Sequence, residues 1–179
     1  MQAEISRIGV FDSGIGGLTV LKSLLEMVPG VDVVYLGDTA RLPYGTKSPR
    51  TIIRYSIQCA RFLTSKDIDL LVVACNTASA HAIPELRDEF RIPVIGVVEA
   101  GASAAVEAGG SRIGVIGTPS TIKSRAYEET IRALKPDAAI FTQACPLFVP
   151  LVEEGWYDDE ITALVARRYL QGLVDKDVD

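Results

Sequence analysis

Arg7-Ile-Gly-Val-Phe-Asp-Ser-Gly-Ile-Gly-Gly-Leu18 runs an apolar strand into a glycine turn and out into a segment of helical period. That strand–turn–helix order is the unit from which a parallel sheet is built, because each crossover must carry the chain back to the start of the sheet. Outward from it the same alternation continues. Short Val- and Ile-rich runs predict strands near 7–11, 32–36, 69–74, 93–97, 112–117 and 138–143, and helical periods fall near 17–27, 49–65, 79–90, 99–108, 120–134 and 158–174. The expectation is an α/β fold with mostly parallel sheets flanked by helices. In the helix from Pro49, which suits a first-turn position, Ile52, Cys59 and Leu63 share one face and Ile53, Ile57 and Ala60 another, so Cys59 reads as core.

Two echoes suggest a duplication. Arg7-Ile-Gly-Val-Phe-Asp-Ser13 returns as Arg112-Ile-Gly-Val-Ile-Gly-Thr118, and Lys66-Asp-Ile-Asp69 returns as Lys176-Asp-Val-Asp179. The chain therefore divides into a first α/β domain over 1–98 and a second, similar one over 99–179, with the boundary near 97–111. The first copy leads into the Leu-Leu-Val-Val-Ala-Cys75 strand, whereas the second reaches Asp179 where a strand is expected to begin. The second domain thus reads as incomplete, and a cysteine is expected about six residues beyond Asp179.

Composition narrows the function. With 18 basic and 23 acidic residues, net charge −5 and no long run of one sign, nucleic acid is not an expected partner. No apolar stretch is long enough to cross a bilayer, and Met1-Gln-Ala-Glu-Ile-Ser-Arg7 lacks a signal-peptide layout, so no membrane is expected and the location reads as cytoplasmic. Cys59, Cys75 and Cys145 are odd in number, widely spaced and free of any C-x-x-C, which argues against a disulfide framework and a thiolate metal site.

Four segments carry candidate chemistry. Phe11-Asp-Ser-Gly-Ile-Gly-Gly-Leu18 offers backbone N–H groups and a helix N-terminus to an anion, but it is no dinucleotide fingerprint, since Thr19 stands where the third glycine would be. The glycines alone could serve a tight turn. Asp12, at the sheet's C-terminal edge, is placed to meet a substrate ammonium. Ala74-Cys-Asn-Thr-Ala78 puts Cys75 at a strand end before a helix with capping candidates Asn76, Thr77 and Ser79, where the helix dipole is expected to lower the thiol pKa. The competing reading is a buried Cys acting as a small hydrophobe. His81 lies in the adjoining helix, pointed away from that thiol, which leaves direct proton transfer by the thiolate rather than cysteine hydrolysis. Gly37-Asp-Thr-Ala-Arg-Leu-Pro-Tyr-Gly45 and Gly117-Thr-Pro-Ser-Thr121 are further loops at strand ends.

Together with Cys145-Pro-Leu-Phe-Val-Pro-Leu-Val-Glu153, these blocks resemble the glutamate racemases of the aspartate/glutamate racemase family across essentially all 179 residues. The resemblance implies two α/β domains facing each other, with free glutamate between two cysteines and neither pyridoxal phosphate nor metal involved. It makes Cys75 and Asp12 catalytic. Asp12, Ser13, Pro43, Tyr44, Gly45, Asn76, Thr77, Thr118 and Thr121 become substrate-binding residues, and Asp38 and Glu153 supporting ones. The product, D-glutamate, feeds peptidoglycan synthesis, and a homodimer is the candidate assembly. The family's second block, Gly-Cys-Thr-His-Tyr-Pro, does not occur within the 179 residues. A racemase for aspartate or another amino acid, or a non-catalytic anion-binding domain, stands as the alternative.

Overall fold

The computed structural model describes residues 5–179; the opening of the Met1–Arg7 stretch read for a signal sequence lies outside them. The chain forms two compact units that divide between Val97 and Val98. Among the described residues no helix is long and apolar enough to cross a membrane.

In the first unit β1 (Arg7–Asp12), β2 (Asp32–Gly37), β3 (Leu70–Val73) and β4 (Val94–Gly96) pair in parallel in the order β2-β1-β3-β4. Side chains alternate across a strand, so one sheet needs an apolar cover on both faces. Phe11, Leu71 and Val73 pack against Ile52, Cys59 and Leu63 of α2 (Pro49–Thr64) and Ala78, Ala82 and Leu86 of α3 (Asn76–Glu89). Val10, Leu70, Val72 and Ala74 face Val20 and Leu24 of α1 (Leu18–Met27) instead. Pro49 opens α2, whose N-cap Ser48 accepts the Thr51 N–H at 3.3 Å. The order β2-β1-β3 puts the C-terminal ends of β1 and β3 side by side, and the loops after them become neighbours.

The second unit pairs β5 (Arg112–Gly117) in parallel with β6 (Ala139–Ala144). Ile113 and Val115 form its core with Ala102, Ile131 and Ala138, covered by Tyr127 and Ile140. Its helices are α4 (Val97–Glu107, which begins at the divide), α5 (Pro119–Ser124), α6 (Ala126–Leu134), α7 (Phe148–Glu153) and α8 (Glu160–Val174).

The two units share a device. Asp69 Oδ2 accepts from the Ser6 N–H, the Ser6 hydroxyl and the Arg7 N–H, each at 2.8 Å. Asp179 Oδ2 accepts from the Ser111 and Arg112 N–H groups at 2.6 and 2.9 Å. In each unit the arginine guanidinium reaches back to the carbonyl of a lysine, Lys66 or Lys176, and the intervening Asp67 and Asp177 both adopt positive φ, 55° and 48°. Even the strand glycines correspond, since a Cβ on Gly9 would meet Ile68 at 2.5 Å and one on Gly114 would meet Val178 at 2.9 Å. The sequence echo is therefore an echo of hydrogen bonding and packing.

Three local expectations are corrected. The helix after Cys75 begins at Asn76, with Cys75 itself as N-cap, because sulfur accepts the Ala78 N–H. The helix expected over 120–134 is two, broken at Arg125, whose φ of 61° is left-handed. The Ser124 hydroxyl supplies the acceptor for Ala126 N–H at that break. Finally, α7 forms where no element was expected, being too short to show a period, while the turn that Pro43-Tyr44-Gly45 suggests is a 3-10 turn over Tyr44–Thr46.

Candidate active site

Asp12 ends β1 buried, and its Oδ2 accepts the N–H groups of Gly14 and Gly17, both at 3.0 Å. The loop between β1 and α1 is thus folded around the protein's own carboxylate. This corrects the anion cradle expected there, because these two donors are engaged. Gly17 is required, since a Cβ would strike Asp12 Cβ at 2.5 Å and Ala74 Cβ at 3.1 Å. The close approach brings Ser13 over the end of β3.

There Cys75 lies, 5% exposed. Its S–H donates to the Ser13 hydroxyl at 3.3 Å, and its sulfur accepts the Ala78 N–H at 3.4 Å. Burial, and next the Asp12 carboxylate, push the thiol up to about 11, while hydrogen bonds from Ser13 and Ala78 pull it down. The lowered pKa expected from the helix N-terminus is corrected accordingly: desolvation and a like charge outweigh the donors. The resting group is a neutral thiol flanked by a hydroxyl able to turn and donate to a thiolate. Beside it Thr77 is buried and Asn76 is exposed at the mouth of α3. His81 lies within α3.

The loop after β2 enters through Asp38, whose N–H bonds to the Asp12 carbonyl at 2.8 Å. Asp38 is buried. Its carboxylate takes the Arg41 Nε at 2.8 Å and the hydroxyl of Tyr44, which is 1% exposed. Burial and this bond to Asp38 drive the Tyr44 phenol far above its ordinary value. The Tyr44 side chain is therefore an internal group, and its backbone and that of buried Gly45 are what this turn can offer a ligand. Pro43 is half-buried just ahead of the turn. Cys59 is core as expected, yet it also lies 3.5 Å from Arg41 Nη2 and 4.0 Å from the Tyr44 hydroxyl, with burial raising its thiol to about 11.

In the second unit Thr118 is the N-cap of α5. Its Oγ1 accepts the Thr121 N–H at 3.2 Å and lies 3.0 Å from the hydroxyl of buried Thr121. One cap thus engages both threonines. Glu153 is the half-buried last residue of α7. Cys145 is buried, directs its S–H at the Gln143 carbonyl and caps no helix.

The sequence pattern that defines Asp/Glu/hydantoin racemases matches residues 8–179. The chain belongs to that family. It is 57% identical to a glutamate racemase of Geobacter metallireducens over 174 residues, 96% of this chain and 64% of that protein. Among solved structures it is similar to a glutamate racemase of Francisella tularensis in complex with D-glutamate, with a TM-score of 0.89, 43% identity, and cover of 96% of this chain and 65% of that one. A Bacillus anthracis glutamate racemase gives a TM-score of 0.93 at 37% identity, covering 97% and 66%. The chain spans about two thirds of the length of these racemases.

Sequence reasoning misses two features of this arrangement. Arg41 reads only as part of its loop, although the spacing Asp38-x-x-Arg41 could have signalled an ion pair. The role of Asp12 as a loop acceptor has no signal beyond the glycines that follow it.

Proposed function

We propose that this chain carries the Cys75 half of a glutamate racemase, in which the Cys75 sulfur moves the α-proton of free glutamate. The observation that carries the reading is the thiol itself, buried at the N-cap of α3 between a hydroxyl and a backbone N–H and beside Asp12. The names of the relatives, and the D-glutamate held by the Francisella racemase in its complex, support glutamate as substrate.

The chemistry follows from the charges. Asp12 opposes ionisation of Cys75, so a substrate ammonium beside Asp12 neutralises the charge that holds the thiol protonated. As the ammonium settles beside Asp12 the S–H proton is released to bulk water; the Cα–H bond then breaks, its proton passes to the thiolate sulfur, and its electron pair moves into the adjoining carboxylate. The reverse returns a proton to the same face. Ser13 Oγ serves both states, accepting from the thiol and donating to the thiolate. Asn76, the buried Thr77 hydroxyl and the N–H groups of Tyr44 and Gly45 hold the carboxylates. Inversion needs a second acid on the opposite face, which the resemblance assigns to a second cysteine block. The scheme uses neither pyridoxal phosphate nor a metal. Thr118, Thr121 and Glu153 are proposed as the second unit's contribution to substrate binding.

The same proposal places the protein in the cytoplasm, supplying D-glutamate for peptidoglycan. Its three free cysteines fit a reducing compartment, and exposed apolar side chains such as Met27 and Phe62 fit a homodimer.

The test is α-hydrogen exchange in D2O, followed by proton NMR. The chain should wash deuterium into D-glutamate, the enantiomer the resemblance assigns to Cys75, and Cys75→Ser should not. An exchange rate unchanged by that substitution would overturn the reading.

A further inference from the structure

We propose that Arg41 is a positioning residue that fixes the Tyr44–Thr46 turn against the start of α3, so that the turn's backbone N–H groups hold a substrate carboxylate; the proposal rests on the glutamate reading. The guanidinium is shared among elements. Its Nε lies 2.8 Å from one oxygen of Asp38 and 2.9 Å from the other, its Nη1 bonds the Gln58 amide oxygen, and its Nη2 lies 3.5 Å from Cys59 Sγ. The same group stacks 4.5 Å above the ring of Tyr55, which itself lies 5.8 Å from the ring of Tyr44.

Each partner has a position to defend. Asp38 is bonded through its N–H to the Asp12 carbonyl, beside Cys75. Gln58, Cys59 and Tyr55 are on α2, which packs on α3. Tyr44 begins the 3-10 turn, and that turn packs on α3 as well. Arg41 therefore ties the loop after β2 both to the sheet edge and to the helix behind it, and the buried Tyr44 phenol locks the turn to the same carboxylate. A planar fork of donors does this where a single ammonium cannot, since it must meet a carboxylate, an amide, a thiol and an aromatic face at once. Arg41 touches no reacting atom. Its effect reaches the ligand through the backbone of Tyr44 and Gly45, where displacement by a fraction of an ångström loosens a carboxylate contact.

The test uses protection of Cys75 from iodoacetamide by glutamate, mapped by mass spectrometry on the full chain. In Arg41→Met the concentration giving half-protection should rise about tenfold or more, with Arg41→Lys between it and the unmodified chain. The pH dependence of Cys75 alkylation without glutamate should stay unchanged, because Asp12, Ser13 and Ala78 are untouched. Gln58→Leu, which keeps the Asp38 pair, should shift half-protection in the same direction by less and serves if Arg41→Met does not fold. Ile52→Val, a core change elsewhere on α2, lowers stability and should leave half-protection where it was. Half-protection unmoved in Arg41→Met, or moved as far by Ile52→Val, overturns the positioning role while the glutamate reading stands. Absence of protection in the unmodified chain sinks that reading, and this inference with it.

Discussion

Consider the alkylation of Cys75 as a function of pH. Its thiol lies at about 11 where an unperturbed one has 9.0. Each unit is a factor of ten in ionised fraction, so two units leave about a hundredfold less thiolate than an ordinary cysteine at any pH well below 9. Reaction proceeds through the thiolate, and the logarithm of the rate should climb with unit slope from pH 7 to beyond 10, without a plateau. Asp12→Asn removes the charge that opposes ionisation, while its amide oxygen, in the place of Oδ2, can still accept both glycine N–H groups. The variant should therefore react faster at neutral pH and level off at lower pH than the unmodified chain. The assay is pseudo-first-order labelling with iodoacetamide, quantified on the Cys75 peptide. A plateau at or below pH 8.5 in the unmodified chain would show that the helix N-terminus outweighs burial, and an unchanged profile in Asp12→Asn would remove Asp12 from the argument.

Two further outcomes concern the frame around the site. Thr118→Ala should lower stability by about 1 kcal/mol through loss of the α5 cap, with Thr118→Ser restoring most of it, as read by urea denaturation. The carboxyls of Asp69 and Asp179 are both held below their ordinary value by strand-start N–H groups, Arg7 and Ser6 in one unit, Arg112 and Ser111 in the other. A folded value below the unfolded one means stability that is present above the unfolded value and lost as the pH falls through the folded one. Asp69→Asn and Asp179→Asn should each flatten the acid limb of the stability curve below pH 4. An acid limb steepened by either change would refute the latch.

Much of this architecture is legible in the chain because apolar period and strand length are local properties. The apolar run over 112–117 predicts β5 at its observed bounds, and Lys66–Asp69 and Lys176–Asp179 show their kinship in sequence as they do in hydrogen bonding. What escapes depends on neighbours distant in sequence. Cys75 visibly stands at a helix start, but its ionisation is governed by enclosure and by Asp12, 63 residues earlier. Nothing in the loop of Tyr44 shows that its phenol turns inward onto Asp38. The cap that joins Thr118 to Thr121 is hidden for the same reason, since only the backbone conformation reveals it.

The atom that caps α3 is also the atom that would carry the proton. Sulfur is a poor acceptor as a thiol and a far better one as a thiolate, so the Ala78 hydrogen bond tightens whenever the proton leaves and slackens whenever it returns. The first turn of α3 is in this sense a gauge: its grip registers the charge state of the buried thiol. The amide resonance of Ala78 should travel with that charge, giving a readout of proton position from the backbone rather than from the substrate.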